Sequence, residues 1–259
     1  VRIARFTTGD EPRFGVVTGE SGQEALAVVA GDPLYVPLRY TGEEVPLDRV
    51  RLLAPVIPRS KVLGVARNYV AHAEEMGTAV AGEPEIFLKP NTAVVGPDDP
   101  IVLPPESSEV HHEGELAVVI GRFCRNVPRD RVGEVVLGFT CANDVTARDL
   151  QRRDGQWWRA KGFDTFCPLG PVLVTDLDVG DLRISTRLDG VTRQDSRTSL
   201  MVHDVASVVA HISSAMTLLP GDVILTGTPA GVGPMAAGQR VEVEVEGIGV
   251  LANPVVVRD

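Results

Sequence analysis

The sequence predicts a mainly-β fold of the α+β class, and three observations predict it. Aromatics are scarce at 5%, while Gly (26) and Pro (19) are plentiful among 259 residues; that composition suits strands joined by turns better than a helix bundle. Short runs of β-formers recur along the chain between Gly-, Pro- and Asp-containing turns. Helical patterning is confined to a few segments that do not alternate with strands in a βαβ rhythm.

Taken in order, RIARF, RFGVVTG and EALAVV read as strands punctuated by GDEP, ESGQ and GDP. They make residues 1–55 a small N-terminal β domain. RLLAPVIPRSKV carries Pro55 and Pro58, which break regular pairing and suggest a linker into a main domain over 56–259. There KVLGVA is a buried strand. YVAHAEEM follows as a short helix, with Asn68 as N-cap and Gly77 as the C′ residue. TAVAGEP reads as a mobile loop. EIFLKP, AVVG, PIVLP, GELAVVIG and EVVLGFTCAND are strands, and TARDLQRRD is a helix. VLVTD and LRISTRLDG are strands, the latter ending in a hairpin turn. VHDVASVVAHISSAM spaces Val202, Val205, Val208 or Val209, and Ile212 as an amphipathic helix. DVILTG is a strand, TPAGVG a Gly-rich loop, and the C-terminal stretch a hairpin whose first strand alternates Val with Glu. No internal repeat or low-complexity tract interrupts this order.

Charge and cysteine content exclude several function classes. The net charge is −10, and no Lys/Arg-rich run offers a nucleic acid or an anionic membrane a basic surface. An anionic substrate therefore needs local positive potential, which a bound cation can supply. Cys124, Cys141 and Cys167 are odd in number and widely spaced, without a CxxC pair. A disulfide framework or zinc–thiolate site is not expected, and a reducing, cytoplasmic location is. No signal peptide or membrane-spanning run is evident.

Four constellations carry chemistry. In HHEGELAVVIG, Glu113 and Glu115 fall on one face of a strand, roughly 6.6 Å apart along the chain. Such a pair repels unless it is solvated, protonated or bridged by a cation. Asp144 could add a third oxygen donor, a set that suits Mg²⁺ or Mn²⁺. A merely solvated acidic face is the alternative, as expected of Glu242, Glu244 and Glu246. His72 and Glu75 stand at i and i+3 on the short helix, where a carboxylate can orient and activate an imidazole base; a surface His–Glu contact is the alternative. Lys161 lies among aromatics in GQWWRAKGFDTF, either desolvated to attract an anion or snorkelling from an apolar patch. Arg148 and Gln151, at i and i+3 after Asp144, could face the same site. In LTGTPAGVG, Thr228 and backbone N–H groups could meet a small carboxylate; the segment lacks the Lys of a phosphate loop. His111, His112, His203 and His211 have no evident partner and read as structural or surface residues.

Six collinear motifs, VARNYVAHAEEMG, PEIFLKPNTAVVGPDDPIVLP, VHHEGELAVVIG, GFTCANDVTARDLQ, AKGFDTFCPLGP and LTGTPAGVG, resemble the fumarylacetoacetate hydrolase superfamily over about residues 55–255. The resemblance implies a mixed β-roll core, a homodimer and a small anionic 2-oxo acid substrate. It implies metal ligation by Glu113, Glu115 and Asp144, an active-site Lys161, and substrate contacts from Arg148, Gln151 and Thr228. It further implies a lid from Arg67 to about Glu83 that carries His72 and Glu75 as a catalytic pair, with Arg67 as a substrate contact. An additional metal-binding Asp of the prototype hydrolase has no secure match here, so three ligands are expected. The implied reaction is C–C bond cleavage, either acylpyruvate hydrolysis or oxaloacetate-type decarboxylation. Its alternatives are 2-hydroxyhepta-2,4-diene-1,7-dioate isomerisation and a non-catalytic, metal-stabilised binding protein.

Overall fold

A computed structural model of the chain describes residues 1–20 and 22–257. It is a mainly-β α+β fold built on three sheets. The largest runs in the order Tyr40–Pro46, Ala25–Val29, Arg13–Thr18, Arg2–Thr7, Cys167–Val174, Val136–Asn143, Gly114–Ile120, Val223–Leu225, Val62–Ala66 and Glu85–Lys89. The N-terminal meander thus continues into this sheet, because Arg2 and Ile3 pair with Val174 and Leu173. The sheet is mixed: Val223–Leu225 runs parallel to Val62–Ala66 and antiparallel to Gly114–Ile120. A five-stranded sheet is built from Val191–Arg197, Arg183–Leu188, Arg240–Val245, Gly249–Val257 and Ile101–Leu103.

Gly114–Ile120 is buried along its whole length, as a central strand covered on both faces must be. Leu116, Val118 and Ile120 point into a core shared with Ile184, Val243 and Leu251 of the five-stranded sheet and with Val208, Val209 and Ile212 of the helix Val205–Ala215. Ala117 and Val119 point the other way, toward Val62, Leu169 and Leu225. Side chains alternate along a strand, so Glu115 shares the face of Ala117 and Val119, at the end where that apolar layer gives way to polar groups.

Several sequence expectations need correction. The strand Tyr40–Pro46 was not anticipated, because only Val45 among its seven residues is apolar and aliphatic. The expected linker contains the strand Arg51–Leu53, paired with Arg5–Thr7. The long helix begins after its N-cap Asp204, which accepts from Ser207 N, so Val202 lies outside it. Glu242 and Glu244 are only partly exposed, and both accept from Arg187. Asn68 does not cap the short helix Val70–Glu75; Tyr69 occupies that position without a side-chain cap. Gly77 does adopt the left-handed conformation expected after the helix, at φ 66°.

Asn68 is instead fully buried and ties three segments together. Its Nδ2 donates to Thr226 O (2.7 Å) and His203 O (2.9 Å), and its Oδ1 accepts from His203 N (2.8 Å). Asn68→Ala leaves those backbone groups without their partner, the Thr226 carbonyl in a buried setting and the His203 groups in a partly buried one. The expected loss is about 3 kcal/mol of folding stability, measured by urea denaturation. A loss below about 1 kcal/mol would show that solvent replaces these bonds.

Candidate active site

Three backbone facts bring the acids together. Gly114 pairs with Asn143, which sets Asp144 opposite Glu113, and Asp144 N donates to Glu113 O at 2.8 Å. Glu115 follows two residues later on the same strand. One carboxylate oxygen from each of Glu113, Glu115 and Asp144 lies within 4.8 Å of the others, and all three residues are buried.

Cations surround two of these acids. Lys161, on the short helix Trp158–Gly162, donates to Glu113 Oε2 (2.7 Å) and Asp144 Oδ2 (2.6 Å). Its ammonium also lies 4.9 Å from the centre of the Phe87 ring. Burial opposes its charge, but Asp144 and Glu113 outweigh burial and raise its pKa. Arg148 donates to the other oxygen of Glu113, and its Nη1 is held by Gln151 Oε1 at 2.9 Å. Burial pushes the Glu113 carboxyl up, yet Arg148 and Lys161 together hold it well below the usual range. Lys89 donates to Asp144 Oδ1 at 2.5 Å and to Val145 O at 3.4 Å.

Glu115 is treated differently. Its Oε2 accepts from Gly227 N at 2.6 Å. Burial, then Asp144 and Glu113, push its pKa well above the ordinary value. An acid placed at 1% exposure beside two other carboxylates favours a further cation close by. This all-oxygen set fits a hard divalent ion such as Mg²⁺ or Mn²⁺, which Glu113, Glu115 and Asp144 could hold.

Glu113 and Glu115 open onto a cavity of about 280 Å³ whose lining also includes Arg67, His72, Phe87, Arg148, Gln151, Lys161 and Thr228. The residues expected to form the site therefore meet at one place; Glu75 stands behind His72, and Asp144 behind Lys161. His72 Nδ1 is 3.2 Å from Glu75 Oε2, and the Glu75 carboxylate accepts from Gly231 N at 3.0 and 3.2 Å. Thr228 is less free than expected: its hydroxyl donates to Gly114 O (2.9 Å) and accepts from Gln194 Nε2 (2.7 Å). Gly114 itself has no room for a side chain, since a Cβ there would lie 2.0 Å from Thr186 Oγ1. Arg67 adopts a left-handed backbone, φ 53°, directly after the strand Val62–Ala66 and donates to Glu85.

Sequence reasoning missed three contributors. Lys89 reads as one more residue of the EIFLKP strand, and only the fold reveals its partner 55 positions away. Gln194 bridges Gly114 N and Thr228 from a strand with no distinguishing motif. Glu85 holds Arg67. Two histidines also gain partners: His111 Nε2 lies 3.2 Å from Glu109, and His203 Nε2 lies 3.2 Å from Ala81 O. His112 is fully buried with neither ring nitrogen paired, and burial pushes its pKa down to about 4.

Comparison with known proteins agrees with this geometry. Residues 61–256 match the family model described as fumarylacetoacetate (FAA) hydrolase C-terminal, and residues 1–55 match one described as Rv2993c-like, N-terminal. The chain is 52% identical to 5-carboxymethyl-2-hydroxymuconate delta-isomerase from Mycobacterium smegmatis, with a TM-score of 0.93 covering 100% of both chains. It is 45% identical over 257 residues to the mitochondrial oxaloacetate tautomerase Fahd2a of Rattus norvegicus, spanning 95% of this chain and 80% of that one. It is 34% identical to maleylpyruvate hydrolase from Sphingobium sp. SYK-6, solved in complex with manganese(II) ion and pyruvate, with a TM-score of 0.81 covering 100% of both chains. A family model that spans most of the chain and includes every acid and cation of the cavity leads to one conclusion: the chain belongs to the fumarylacetoacetate hydrolase family.

Proposed function

We propose that the chain is a divalent-metal-dependent enzyme that cleaves a C–C bond in a small 2-oxo acid, by acylpyruvate hydrolysis or oxaloacetate-type decarboxylation. The observation that carries this reading is His72, paired with Glu75, facing the same cavity as the buried Glu113 and Glu115. Three carboxylates and three cations (Lys89, Arg148 and Lys161) leave the protein's own groups balanced at the centre. A divalent ion held by Glu113, Glu115 and Asp144 would add two positive charges, matched to the dianion formed when a 2-oxo carboxylate becomes its enolate.

The remaining roles belong to the chain's side chains. Lys161 places a fixed ammonium where charge develops, and the Phe87 ring beside it excludes water. Arg148, held by Glu113 and Gln151, keeps further guanidinium N–H groups that can meet a substrate carboxylate. Glu75 fixes the His72 ring through Nδ1, so Nε2 is the atom that takes a proton from water or from the substrate.

A second reading is isomerisation or keto–enol tautomerisation, in which a proton is removed and returned at another atom and no C–C bond is cleaved. Its support is the higher identity to the isomerase and the tautomerase, 52% and 45%, than to the hydrolase, 34%. A panel of acetylpyruvate, oxaloacetate and a 2-hydroxydienoate followed by NMR separates the two. Pyruvate release is expected from one of the first two substrates. Conversion between tautomers or double-bond isomers with no pyruvate from any of them would replace cleavage with isomerisation.

Chelation is expected to abolish turnover and Mg²⁺ or Mn²⁺ to restore it. Glu115→Ala should lose that metal response, and full metal-dependent activity in this variant would remove Glu115 from the ligand set. For Lys161→Met we expect kcat to fall by about 10²-fold or more, the usual effect of losing one charge-stabilising donor. A raised KM with unchanged kcat would make Lys161 a simple binding residue. His72→Ala should destroy acylpyruvate hydrolysis while Mn²⁺ binding, read by EPR, persists. Retained hydrolysis in this variant would require another base.

A further inference from the structure

The cavity described above is not isolated. A second, solvent-open cavity of about 460 Å³ adjoins it and shares Ala66, Arg67, Phe87 and Trp157 as lining. Leu88, Gln156 and Trp158 form much of its far side, and Glu85 also lines it. Trp157 meets Phe87 edge to face, with ring centroids 5.7 Å apart, on the boundary between the two spaces. Arg67 is thus the only guanidinium that lines both cavities among the described residues.

That guanidinium is occupied by a carboxylate of the chain. Arg67 Nε donates to Glu85 Oε2 at 2.8 Å, and a second guanidinium nitrogen donates to the same oxygen. Glu85 is placed for this by strand register, since it pairs with Ala66 and so faces the residue at the strand end. The pair is only partly covered, with side-chain exposures of 28% for Arg67 and 42% for Glu85. A half-solvated ion pair is weak, so another carboxylate arriving at Arg67 can displace Glu85 at little cost. Ligand carboxylates can bind arginine through two parallel N–H···O bonds, one to each oxygen, whereas Glu85 uses a single oxygen for both donors.

We propose that Arg67 and Glu85 form a carboxylate-exchange latch: the distal carboxylate of an extended 2-oxo diacid takes the place of Glu85 on Arg67. The 2-oxo head then lies in the inner cavity and the middle of the molecule runs along Phe87 and Trp157. Glu85 competes for the arginine and so sets how strongly diacids are preferred over monoacids of equal length. This inference rests on the proposed binding of a 2-oxo acid at the carboxylate centre.

The test uses the full chain with Mg²⁺ and three ligands, by calorimetry. Oxalate is too short to span the cavities and reports the inner site alone. 2-Oxoadipate and 2-oxohexanoate have the same chain length and differ in the distal carboxylate. In Glu85→Gln the preference for 2-oxoadipate over 2-oxohexanoate should rise by about tenfold, because the competitor is gone. In Arg67→Met it should fall by about tenfold. Oxalate binding with an unchanged preference in both variants overturns the latch. A fall in both variants also overturns it, since Glu85 would then be supporting Arg67 and not competing for it. Failure of oxalate to bind the unmodified protein with Mg²⁺ would instead sink the reading of the inner site.

Discussion

Burying Glu113, Glu115 and Asp144 within one 4.8 Å cluster is the constraint on which the rest of the site depends. Three desolvated carboxylates repel one another and lose their hydration, a combination no fold tolerates without compensation. The compensation comes from separate parts of the chain: Lys89 from one strand, Arg148 from the helix Arg148–Arg153, and Lys161 from the helix Trp158–Gly162. Each cation is itself buried. The charges therefore do more to select the arrangement of these elements than to stabilise it, since apolar side chains of equal size would cost less to bury. A protein retains so costly a centre where its chemistry requires it.

Much of this centre was legible in the sequence because its acids follow strand periodicity. Glu113 and Glu115 are two apart and so share a strand face, but that Asp144 joins them was implied by the family resemblance and not by local pattern, because it depends on which strands pair. The His72–Glu75 contact follows helical spacing in the same way. Lys89, Gln194 and Glu85 were not legible, for a common reason. Each acts through a partner that is distant in sequence or lies across a strand boundary, and their own segments show only ordinary β patterning. Asn68 shows the converse. Its type and position satisfy the rule for a helix cap, but three backbone groups, two on His203 and one on the buried Thr226, compete for the same side chain and win. Local propensity gives way where tertiary contacts leave polar groups that must be satisfied.

The large sheet follows the same division. Strands with alternating or continuous apolar residues, such as Gly114–Ile120 and Val62–Ala66, declare themselves. Tyr40–Pro46 does not, because it lies at the sheet edge with nearly every residue exposed. An edge strand needs backbone partners on one side only and little apolar surface, so its composition resembles a loop. The opposite edge, Glu85–Lys89, is where the site gains two residues that hydrophobic patterning cannot reveal: Lys89 inside and Glu85 at the rim.

One short loop joins the two halves of the candidate chemistry. Gly227 N donates to Glu115 in the carboxylate cluster, and Gly231 N, four residues later, donates to Glu75 behind His72. Gly227 can make this approach because its φ of 95° and the nearby Asn68 leave no room for a side chain: a Cβ would lie 2.6 Å from that of Asn68. The helix Val70–Glu75 has six residues, too few to persist by itself. Its place is set by Gly231 at one end and by the buried Asn68 just before its start. Glu75 and Glu115 are thus registered against the same backbone. Residues 227–231 thereby help fix His72 relative to the carboxylates, and a helix that moves away from that loop also gives up the contact between Gly231 and Glu75.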